Sequence, residues 1–509
     1  MQILRPRHRP ARRRLAFFLP QWMPPDAITD QGTPYRALPI AGSLLHAGYE
    51  LLWWDQDHPS MGDLERLQHE LEGVEDLILW MNELDPLIQT NNCMQMVRTA
   101  REHQPGIRVT VGGSFINVLP PRYYHEALGI DFVLQGCGEV SVPMLMDALA
   151  EQGDLSSIPG LVWKEGRYRH NPYPRSAAIC KEHYEIYDQI DLEPYLQRGG
   201  MFGNDQDTFV FAGTQGCGKG CDFCYWSNFS LGMLPVEDTI EILSRIQKRL
   251  GVKQFHLAEL DIAASPGRLR KFARSWTEHM PDCRWFGLAS PVDLARLEGA
   301  DWNLLAEGGC RKLEVGTESG SQRILTRIGK RHHKDDPISI TRHAIARGIQ
   351  TMHNFVFGIP GETKADRAAS LDLIRRLRDL DPQWTLFTFR FFQPTPGTRL
   401  GDEAISHYPD PPVGLKAFLA SRQEYGAEWS RSMPWLEPAA ERQVKLLAYH
   451  YLPLMTSKLV YPKRTQQFLY RGFRRLARIR LRTRFYALQL DMRLFRSTLG
   501  GCLDNTYIP

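Results

Sequence analysis

The hydrophobic residues of the first 170 positions fall into short runs separated by stretches with helical spacing. Such stretches, for example 39–48 and 89–103, carry apolar residues three or four positions apart. Strands that alternate with helices predict a parallel, doubly wound α/β sheet, which binds ligands at the carboxyl ends of its strands. The predicted strands are 15–19, 51–54, 77–81, 109–111 and 132–134.

The same alternation returns in the middle of the chain. Six βα units within about 190 residues predict a partial or complete parallel barrel. The stretch before it, from about 155 to 207, is rich in Pro, Tyr and charge and predicts a linker with little structure of its own. The predicted barrel strands are 208–212, 254–257, 285–289, 312–315, 351–357 and 385–392.

These patterns divide the chain into four parts. We expect an N-terminal α/β domain (1–170), a linker (171–207), a barrel (208–400) and a helical C-terminal region (401–509). The region after residue 401 carries Trp, Tyr and Arg in helical stretches.

Composition narrows the class of protein. The 509 residues are 43% hydrophobic and 24% charged, which is the usage of an ordinary soluble globular protein. The formal net charge of +4 is too small to indicate nucleic acid as the main partner. No run of 18 apolar residues predicts a transmembrane helix, and the apolar stretch 15–19 is too short for a signal-peptide core. We therefore expect a cytoplasmic protein.

Three of the nine cysteines lie close together in a loop with four glycines. Cys217, Cys221 and Cys224 follow a predicted strand, in the segment Gly213-Thr-Gln-Gly-Cys217-Gly-Lys-Gly-Cys221-Asp-Phe-Cys224. A loop without a ligand is a weak alternative, because three buried structural cysteines rarely occur within eight residues. A structural zinc site would need a fourth ligand, and the nearby sequence offers no further His or Cys. We favour an iron–sulfur cluster with one iron free of protein ligand.

This cysteine spacing, with Phe223 before the third cysteine, resembles the radical S-adenosylmethionine (SAM) enzymes. The resemblance covers about 208–400 and implies that the three cysteines hold a [4Fe–4S] cluster whose fourth iron binds SAM. The segment Gly316-Thr-Glu318-Ser319 resembles the part of the family that reaches the ribose and methionine of SAM. Gly358-Ile-Pro360, after the fifth strand, resembles the segment that lies along the adenine, and residues 392–398 resemble the motif of the sixth strand.

The second barrel strand departs from the family pattern. Many members carry Gly-Gly-Glu there, which binds the methionine ammonium, whereas this chain has Glu259 and Asp261. Either acid could take that role, and a solvated loop acid is the alternative for both. Glu259 is the SAM ligand that we predict.

The N-terminal domain resembles the cobalamin-binding subclass of these enzymes. Gly112-Gly113 after the fourth strand, Asn82-Glu-Leu84 after the third, and Gly136-Cys-Gly138-Glu139 after the fifth resemble the subclass motifs in order. The resemblance implies that Asn82, Leu84, Gly112, Gly113, Gly136 and Glu139 bind cobalamin.

The histidine that ligates cobalt in related domains is missing. The window where it would stand, near Tyr35 and Pro39, contains no His. His58 lies near a strand end but does not match the motif, and a solvated turn residue is the simpler interpretation. Members of the subclass commonly leave the lower cobalt face open.

The resemblance implies an enzyme that cleaves SAM to a radical and transfers a methyl group to a substrate carbon. The alternatives are an oxidative cyclase, a sugar dehydratase or epimerase, and, least favoured, a non-catalytic cobalamin sensor. We expect a small-molecule substrate, of the kind used in antibiotic biosynthesis, and an electron donor of the flavodoxin or ferredoxin type. The substrate could be anionic or bound to a carrier protein.

The C-terminal region adds one more pattern. Seven arginines fall within the fourteen residues 471–484, among apolar positions. A solvated amphipathic helix covering the barrel is the simplest interpretation. The alternatives are an anionic substrate, an acidic carrier protein or a membrane surface.

Overall fold

The computed structural model describes residues 2–21, 34–59, 61, 70–81, 86–117, 120–172, 178–197, 206–409, 432–456, 464–483 and 494. Within these ranges all eleven strands expected from the sequence are present, to within a few residues at each end. The fold is α/β, with two mainly parallel sheets and a helical C-terminal region.

The first sheet has a parallel centre and antiparallel edges. The five apolar runs form parallel strands, as predicted, and the structure gives their order as β3-β2-β4-β5-β6. The sequence pattern missed β1, which pairs antiparallel with β3, and the β7–β8 hairpin that extends the other edge. The strands are β1 (Gln2–Leu4), β2 (Arg14–Leu19), β3 (Glu50–Asp55), β4 (Asp76–Met81), β5 (Arg108–Gly113), β6 (Phe132–Leu134), β7 (Leu161–Glu165) and β8 (Arg167–His170).

Within the described residues, four α-helices accompany this sheet. The first packs against the fourth, and the second packs against the third. They are α1 (Leu38–His46), α2 (Pro86–His103), α3 (Arg122–Leu128) and α4 (Gly138–Glu151).

The second sheet is a partial barrel of six parallel strands. Its order is β16-β15-β14-β13-β12-β9, and within the described residues its two edge strands do not pair with each other. A two-stranded ribbon, which the sequence did not predict, stands just after β9. The strands are β9 (Thr208–Phe211), β10 (Thr214–Gln215), β11 (Gly232–Met233), β12 (Gln254–Leu257), β13 (Arg284–Ala289), β14 (Cys310–Glu318), β15 (Gln350–Phe357) and β16 (Thr385–Phe391).

Helices connect the barrel strands on the outside. The longest begins with a capping box between Thr363 and Asp366, which supplies partners to backbone N–H groups that no helical bond satisfies. The helices are α5 (Val236–Leu250), α6 (Pro266–His279), α7 (Pro291–Leu294), α8 (Gly299–Glu307), α9 (Gln322–Arg327), α10 (Asp336–Ile345), α11 (Lys364–Leu380) and α12 (Arg399–Ile405).

The C-terminal region packs over the barrel edge. Met433, Val444 and Leu452 are buried with Phe389 and Phe391 of β16. This packing covers one side of an edge strand that would otherwise expose apolar surface. The region contains α13 (Pro438–Leu446), a π-helical turn (Leu447–Tyr451), α14 (Leu452–Thr456) and α15 (Arg464–Thr483).

The stretch 171–207 does not behave as a linker in the part that the structure describes. The 3-10 helix Lys181–Asp188 buries Tyr184 and Tyr187 completely. The Tyr184 hydroxyl donates to the Ala212 carbonyl, and Arg249 of α5 donates to the Tyr187 carbonyl. The prediction failed because apolar and aromatic residues here follow no helical or strand period. The 3-10 helix 181–188, which we call the wedge, joins both domains into one continuous hydrophobic core.

Gly42 of α1 offers a test of this wedge. A Cβ at residue 42 would lie 1.8 Å from the carbonyl oxygen of His183. We expect Gly42→Ala to lower the free energy of unfolding by about 1–3 kcal/mol, because the wedge must shift. Gly267→Ala is the matched control, since nothing lies within 4 Å of its Cβ position. Urea unfolding of both variants measures the effect, and equal midpoints would contradict the tight docking.

Candidate functional site

The three-cysteine loop begins directly after the first barrel strand and is closed at its base. The β10–β11 ribbon joins its two ends, and the Cys217 and Gly218 N–H groups both donate to the Phe229 carbonyl. Gly216 has a positive φ of 78°, and a Cβ there would lie 2.2 Å from the Ser230 carbonyl oxygen. A larger residue at 216 would therefore open the loop.

The three thiols lie near one another and are partly buried. Cys224 is close enough to both Cys217 and Cys221 for their charges to interact, and no described cysteine is in a disulfide. Burial raises the pKa of Cys224 to about 12 and also raises the pKa values of the other two. Without a metal these thiols would stay protonated, so they suit metal ligation better than nucleophilic catalysis.

Three thiols on one glycine-rich loop suit a [4Fe–4S] cluster. Such a cluster needs thiolates spread over separate irons, and a glycine-rich loop leaves room for it. Among the described residues no group of three His, Cys, Asp or Glu side chains is arranged to hold one metal ion.

Lys219 ties the loop to two neighbouring barrel strands. Its ammonium lies 3.0 Å from the Asp261 carboxylate and also contacts Asp293. Both acids are buried, and burial followed by the hydrogen bond with Asp293 raises the pKa of Asp261 to about 6. The Asp261 carboxylate is thus paired with Lys219 of the cysteine loop, and Asp261 is not a solvated loop acid.

Glu259 is also buried rather than solvated. Its carboxylate lies 3.6 Å from Arg268, and burial raises its pKa. The role predicted for it, binding of the methionine ammonium, is not tested by this geometry.

The Glu318 segment and the cysteine loop come together. Glu318 lies close enough to Cys221 for their charges to interact, and its carboxylate lies 2.9 Å from the Lys330 ammonium. Glu318 has a φ of 59°, a strained conformation for a residue with a side chain. A Cβ at Gly316 would lie 2.9 Å from the Glu318 carboxylate and 3.0 Å from the ammonium. Glycine at 316 therefore leaves room for this ion pair.

Other predicted SAM ligands form hydrogen bonds with neighbouring residues of the protein. The Ser319 hydroxyl hydrogen-bonds with Ser370 of α11. Gly358 donates to Glu362 and accepts from the Trp435 indole, and the Pro360 carbonyl accepts from Arg327. These bonds hold the fifth-strand segment in place.

Phe223 packs beside a hydrophobic cluster at the edge of the barrel. The cluster includes Ile324, Ile359 and Phe392. This packing anchors the loop between its second and third cysteines.

Three glycines of the N-terminal domain stand where neighbouring residues leave no room for a side chain. A Cβ at Gly112 or Gly138 would each lie 2.3 Å from the Trp80 ring. Gly113 has a φ of 118°, and a Cβ there would lie 2.1 Å from the Met81 carbonyl oxygen. Packing within the domain thus requires glycine at these positions whether or not a ligand binds, and Gly113→Val would disturb the sheet itself.

Glu139 is one unsatisfied group at this edge among the described residues. It is buried at the start of α4, and neither carboxylate oxygen has a hydrogen-bond partner in another described residue. Burial raises its pKa to about 7. Nearby, Gly136 has a φ of 92° and donates its N–H to Asn117. Asn82 and Leu84 lie outside the described residues.

His58 is buried, so its interpretation as a solvated turn residue is wrong. Its ring packs edge-on against Tyr195 at 5.2 Å, and the Tyr195 hydroxyl donates to Asp55 at 2.7 Å. Burial lowers the pKa of His58 and raises that of Asp55 to about 6. The 3-10 helix Glu193–Tyr195 thus reaches the carboxyl end of β3.

Trp226 joins the cysteine loop to the first sheet. It is buried with Phe229 and with Cys137, which follows β6, and Cys217 and Cys224 pack against this cluster. The Arg36 guanidinium lies 4.3 Å from the centre of the Trp226 ring. The carboxyl-end edge of the N-terminal sheet therefore meets the three-cysteine loop directly.

Sequence reasoning missed four of these residues. Lys219 and Lys330 lie in loops, and only the fold shows which acids they face. Trp80 and Trp226 are apolar residues whose partners lie far away in sequence. The position of Trp226, two residues after the third cysteine, is the one local signal that could have identified it.

Comparison with known proteins places the barrel in a family. Residues 212–374, which contain the cysteines and the Glu318 and Gly358 segments, match the Radical SAM superfamily. This part of the chain is a radical SAM domain. Such a domain implies a [4Fe–4S] cluster and SAM.

Two curated relatives match more of the chain. An uncharacterised methyltransferase of Pyrococcus horikoshii is 29% identical over 320 residues, which cover 61% of this chain and 66% of that protein. The anaerobic magnesium-protoporphyrin IX monomethyl ester cyclase of Synechocystis is 22% identical, with coverages of 69% and 68%.

A solved structure matches nearly the whole fold. The radical SAM methyltransferase TsrM of Kitasatospora setae, solved with cobalamin and a [4Fe–4S] cluster, aligns with a TM-score of 0.62. The alignment covers 93% of this chain and all of that chain at 18% sequence identity. The expected architecture, a cobalamin-type domain before a radical SAM barrel, is thereby confirmed at the level of the fold.

The Glu139 carboxylate makes stability depend on pH. Because burial raises its pKa from 4.5 to about 7, the folded state binds its proton more tightly than the unfolded state. The stability that this group contributes is full below about pH 4.5 and is lost as pH rises toward 7. We expect Glu139→Gln to be more stable than the parent at pH 8, by up to about 3 kcal/mol, with the gain vanishing at low pH.

Urea unfolding of the ligand-free protein across this pH range measures the difference. Glu151→Gln, at the exposed other end of α4, is the matched control and should change little. An equal effect of Glu139→Gln at every pH would contradict the account, because it would show that folding does not raise the pKa of Glu139.

Proposed function

We propose that this protein is a cobalamin-dependent radical SAM methyltransferase that methylates a carbon of a small molecule. The observation that carries the proposal is the contact of Cys137 and Arg36 with Trp226. It brings the ligand-binding edge of a doubly wound domain against the cysteine loop of a radical SAM barrel. Two cofactors bound at these edges could act on one substrate between them.

Two parts of the chain support this cofactor set. Cys217, Cys221 and Cys224 would hold the cluster, and Lys219 holds their loop against the barrel. The buried Glu139 carboxylate supports cobalamin binding, because an unsatisfied polar group at a sheet edge is what a polar ligand would complete. When bound, the cluster and SAM supply hydrogen abstraction and cobalamin supplies the methyl group.

The residues around Cys221 would position SAM. The Lys330 ammonium suits the SAM carboxylate, and the Glu318 carboxylate suits an ammonium or ribose hydroxyls. In the ligand-free state the two neutralise each other, so SAM would replace one buried ion pair with two. The same burial excludes water from the reacting atoms.

Further parts of the proposal concern the setting of the enzyme. We propose a cytoplasmic enzyme reduced by a flavodoxin or ferredoxin, with a substrate of the kind found in antibiotic biosynthesis. In the described part of the chain, no helix has the length and apolar character needed to cross a bilayer.

Oxidative ring closure is the second candidate. The Synechocystis relative, whose name is that of a cyclase, matches over a larger share of this chain than the Pyrococcus methyltransferase does, at lower identity. Both candidates use the same cluster and SAM residues, and they differ in the products left from SAM.

Product analysis separates the two reactions. A radical methyltransferase consumes two SAM molecules per turnover, one to abstract hydrogen and one to remethylate the cofactor. We expect 5′-deoxyadenosine and S-adenosylhomocysteine to accumulate in nearly equal amounts once substrate is supplied. Mass spectrometry of anaerobic reactions with reductant measures both. A cyclase or dehydratase would give 5′-deoxyadenosine without matching S-adenosylhomocysteine, and that result would contradict the proposal.

A variant at Glu318 sharpens the assay. Glu318→Ala should depress 5′-deoxyadenosine more than it depresses cobalamin loading, because only SAM contacts this segment in the proposal. Glu307→Ala, at the exposed end of α8, is the control and should leave both unchanged.

A further inference from the structure

Helix α15 presents a face that the barrel and the proposed function do not use. Tyr470, Phe473 and Ala477 are buried against the π-helical turn and α14. Arg474 donates to the Met455 carbonyl, and Arg480 lies 5.8 Å from the centre of the Tyr451 ring. These contacts fix the rotation of the helix, so its opposite face points away from the protein.

The outward face carries a row of large apolar side chains. Phe468 is 78% exposed, and Leu476 and Ile479 are 44% and 48% exposed. Phe468, Leu476 and Ile479 share this face, Gly472 stands between the first two, and Leu469 lies beside them. Single exposed apolar residues are ordinary, whereas several on one helix face mark an interaction surface.

A row of arginines runs beside the apolar row. Arg471, Arg475, Arg478 and Arg482 are exposed and are spaced four, three and four residues apart, which is one stripe of a helix. Helix α15 contains no Asp or Glu. Within the part of the chain that the structure describes, none of the four lies within ion-pair distance of a carboxylate.

Arg478 and Arg482 of the arginine row line a groove of about 500 Å³ between α15 and α11. Arg375 and Arg378 of α11 face it as well, each paired with a neighbouring acid, Asp372 and Asp379. The base of the groove is apolar and is formed by Leu371, Ile374, Leu452, Met455 and Leu481. The groove thus offers apolar surface beneath a rim with more basic than acidic side chains.

We propose that α15 is a peripheral membrane-binding helix that lies in the surface of an anionic lipid bilayer. The apolar row enters the boundary between headgroups and acyl chains, and the arginine row contacts lipid phosphates. The two rows extend over residues 468–479 and 471–482 of the helix, so each runs along about 17 Å of surface. This inference is independent of the proposed reaction, because no residue of α15 belongs to the cysteine or SAM site.

Charge and shape favour a bilayer over the other occupants. A second copy of the chain would place two arginine rows against each other, and like charges repel. An acidic soluble protein would satisfy the arginines but would not by itself require the apolar row. A bilayer with anionic headgroups matches both rows at once.

Vesicle co-sedimentation of the full chain tests the proposal. We expect binding to vesicles of phosphatidylcholine with phosphatidylglycerol, weak binding to phosphatidylcholine alone, and loss of binding at high salt. Changing Arg471, Arg475, Arg478 and Arg482 together to Gln should weaken partitioning by at least about tenfold, since each basic residue near an anionic surface contributes about fivefold. Changing Phe468, Leu476 and Ile479 to Ser should weaken it comparably.

The matched control removes the same net charge elsewhere. Arg122, Arg167, Arg274 and Arg342 are exposed on other parts of the protein, and their joint change to Gln should leave binding unchanged. Equal loss in this control would show that only net charge matters and would overturn the proposal. Circular dichroism confirms that every variant is folded.

Three other outcomes would also overturn the membrane-binding proposal. The first is absence of binding to anionic vesicles. The second is a dimer in sedimentation velocity that Leu476→Ser dissociates, which would make a second copy the occupant. The third is tight binding to polyglutamate without binding to vesicles, which would indicate an acidic protein.

Discussion

The packing of Trp226 between the two sheets is the contact on which the rest of the site depends. Its ring lies against Cys137 of the N-terminal domain and under the Arg36 guanidinium, while its own loop carries the three cysteines. Burial of this ring couples the position of the cluster loop to the carboxyl-end edge of the first sheet. The wedge that buries Tyr184 and Tyr187 keeps the two domains from separating behind it.

The sequence predicted the parts of the fold that follow a local period. Both sheets, their strand positions and the loop of Cys217, Cys221 and Cys224 follow from apolar runs, helical spacing and cysteine spacing. The wedge at 181–188 escaped because its buried aromatics depend on partners in α1 and α5. The edge strands β1 and β8 are short and carry few apolar residues. The apolar start of β7, Leu161-Val-Trp163, lies in a stretch rich in Pro, Tyr and charge that predicted a linker.

The partners of the charged residues in the site could not be assigned from sequence either. Asp261 and Glu259 were candidates for binding SAM, yet the structure shows that Lys219 and Arg268 already face them. Each such pair joins residues from different structural elements, so no local motif indicates it. Glu139 shows the opposite case, since its motif was visible but its lack of a described partner follows only from the fold.

The central claim is that two cofactor sites face each other across Trp226, and electron paramagnetic resonance tests it most directly. The protein is loaded with cob(II)alamin and a reduced cluster, and the cobalt signal is compared with that of a variant in which Cys217, Cys221 and Cys224 are all Ala. The account predicts that the cluster broadens the cobalt signal and speeds its relaxation in the parent protein only. Identical cobalt signals in both proteins, or failure of the parent to bind cobalamin, would contradict it.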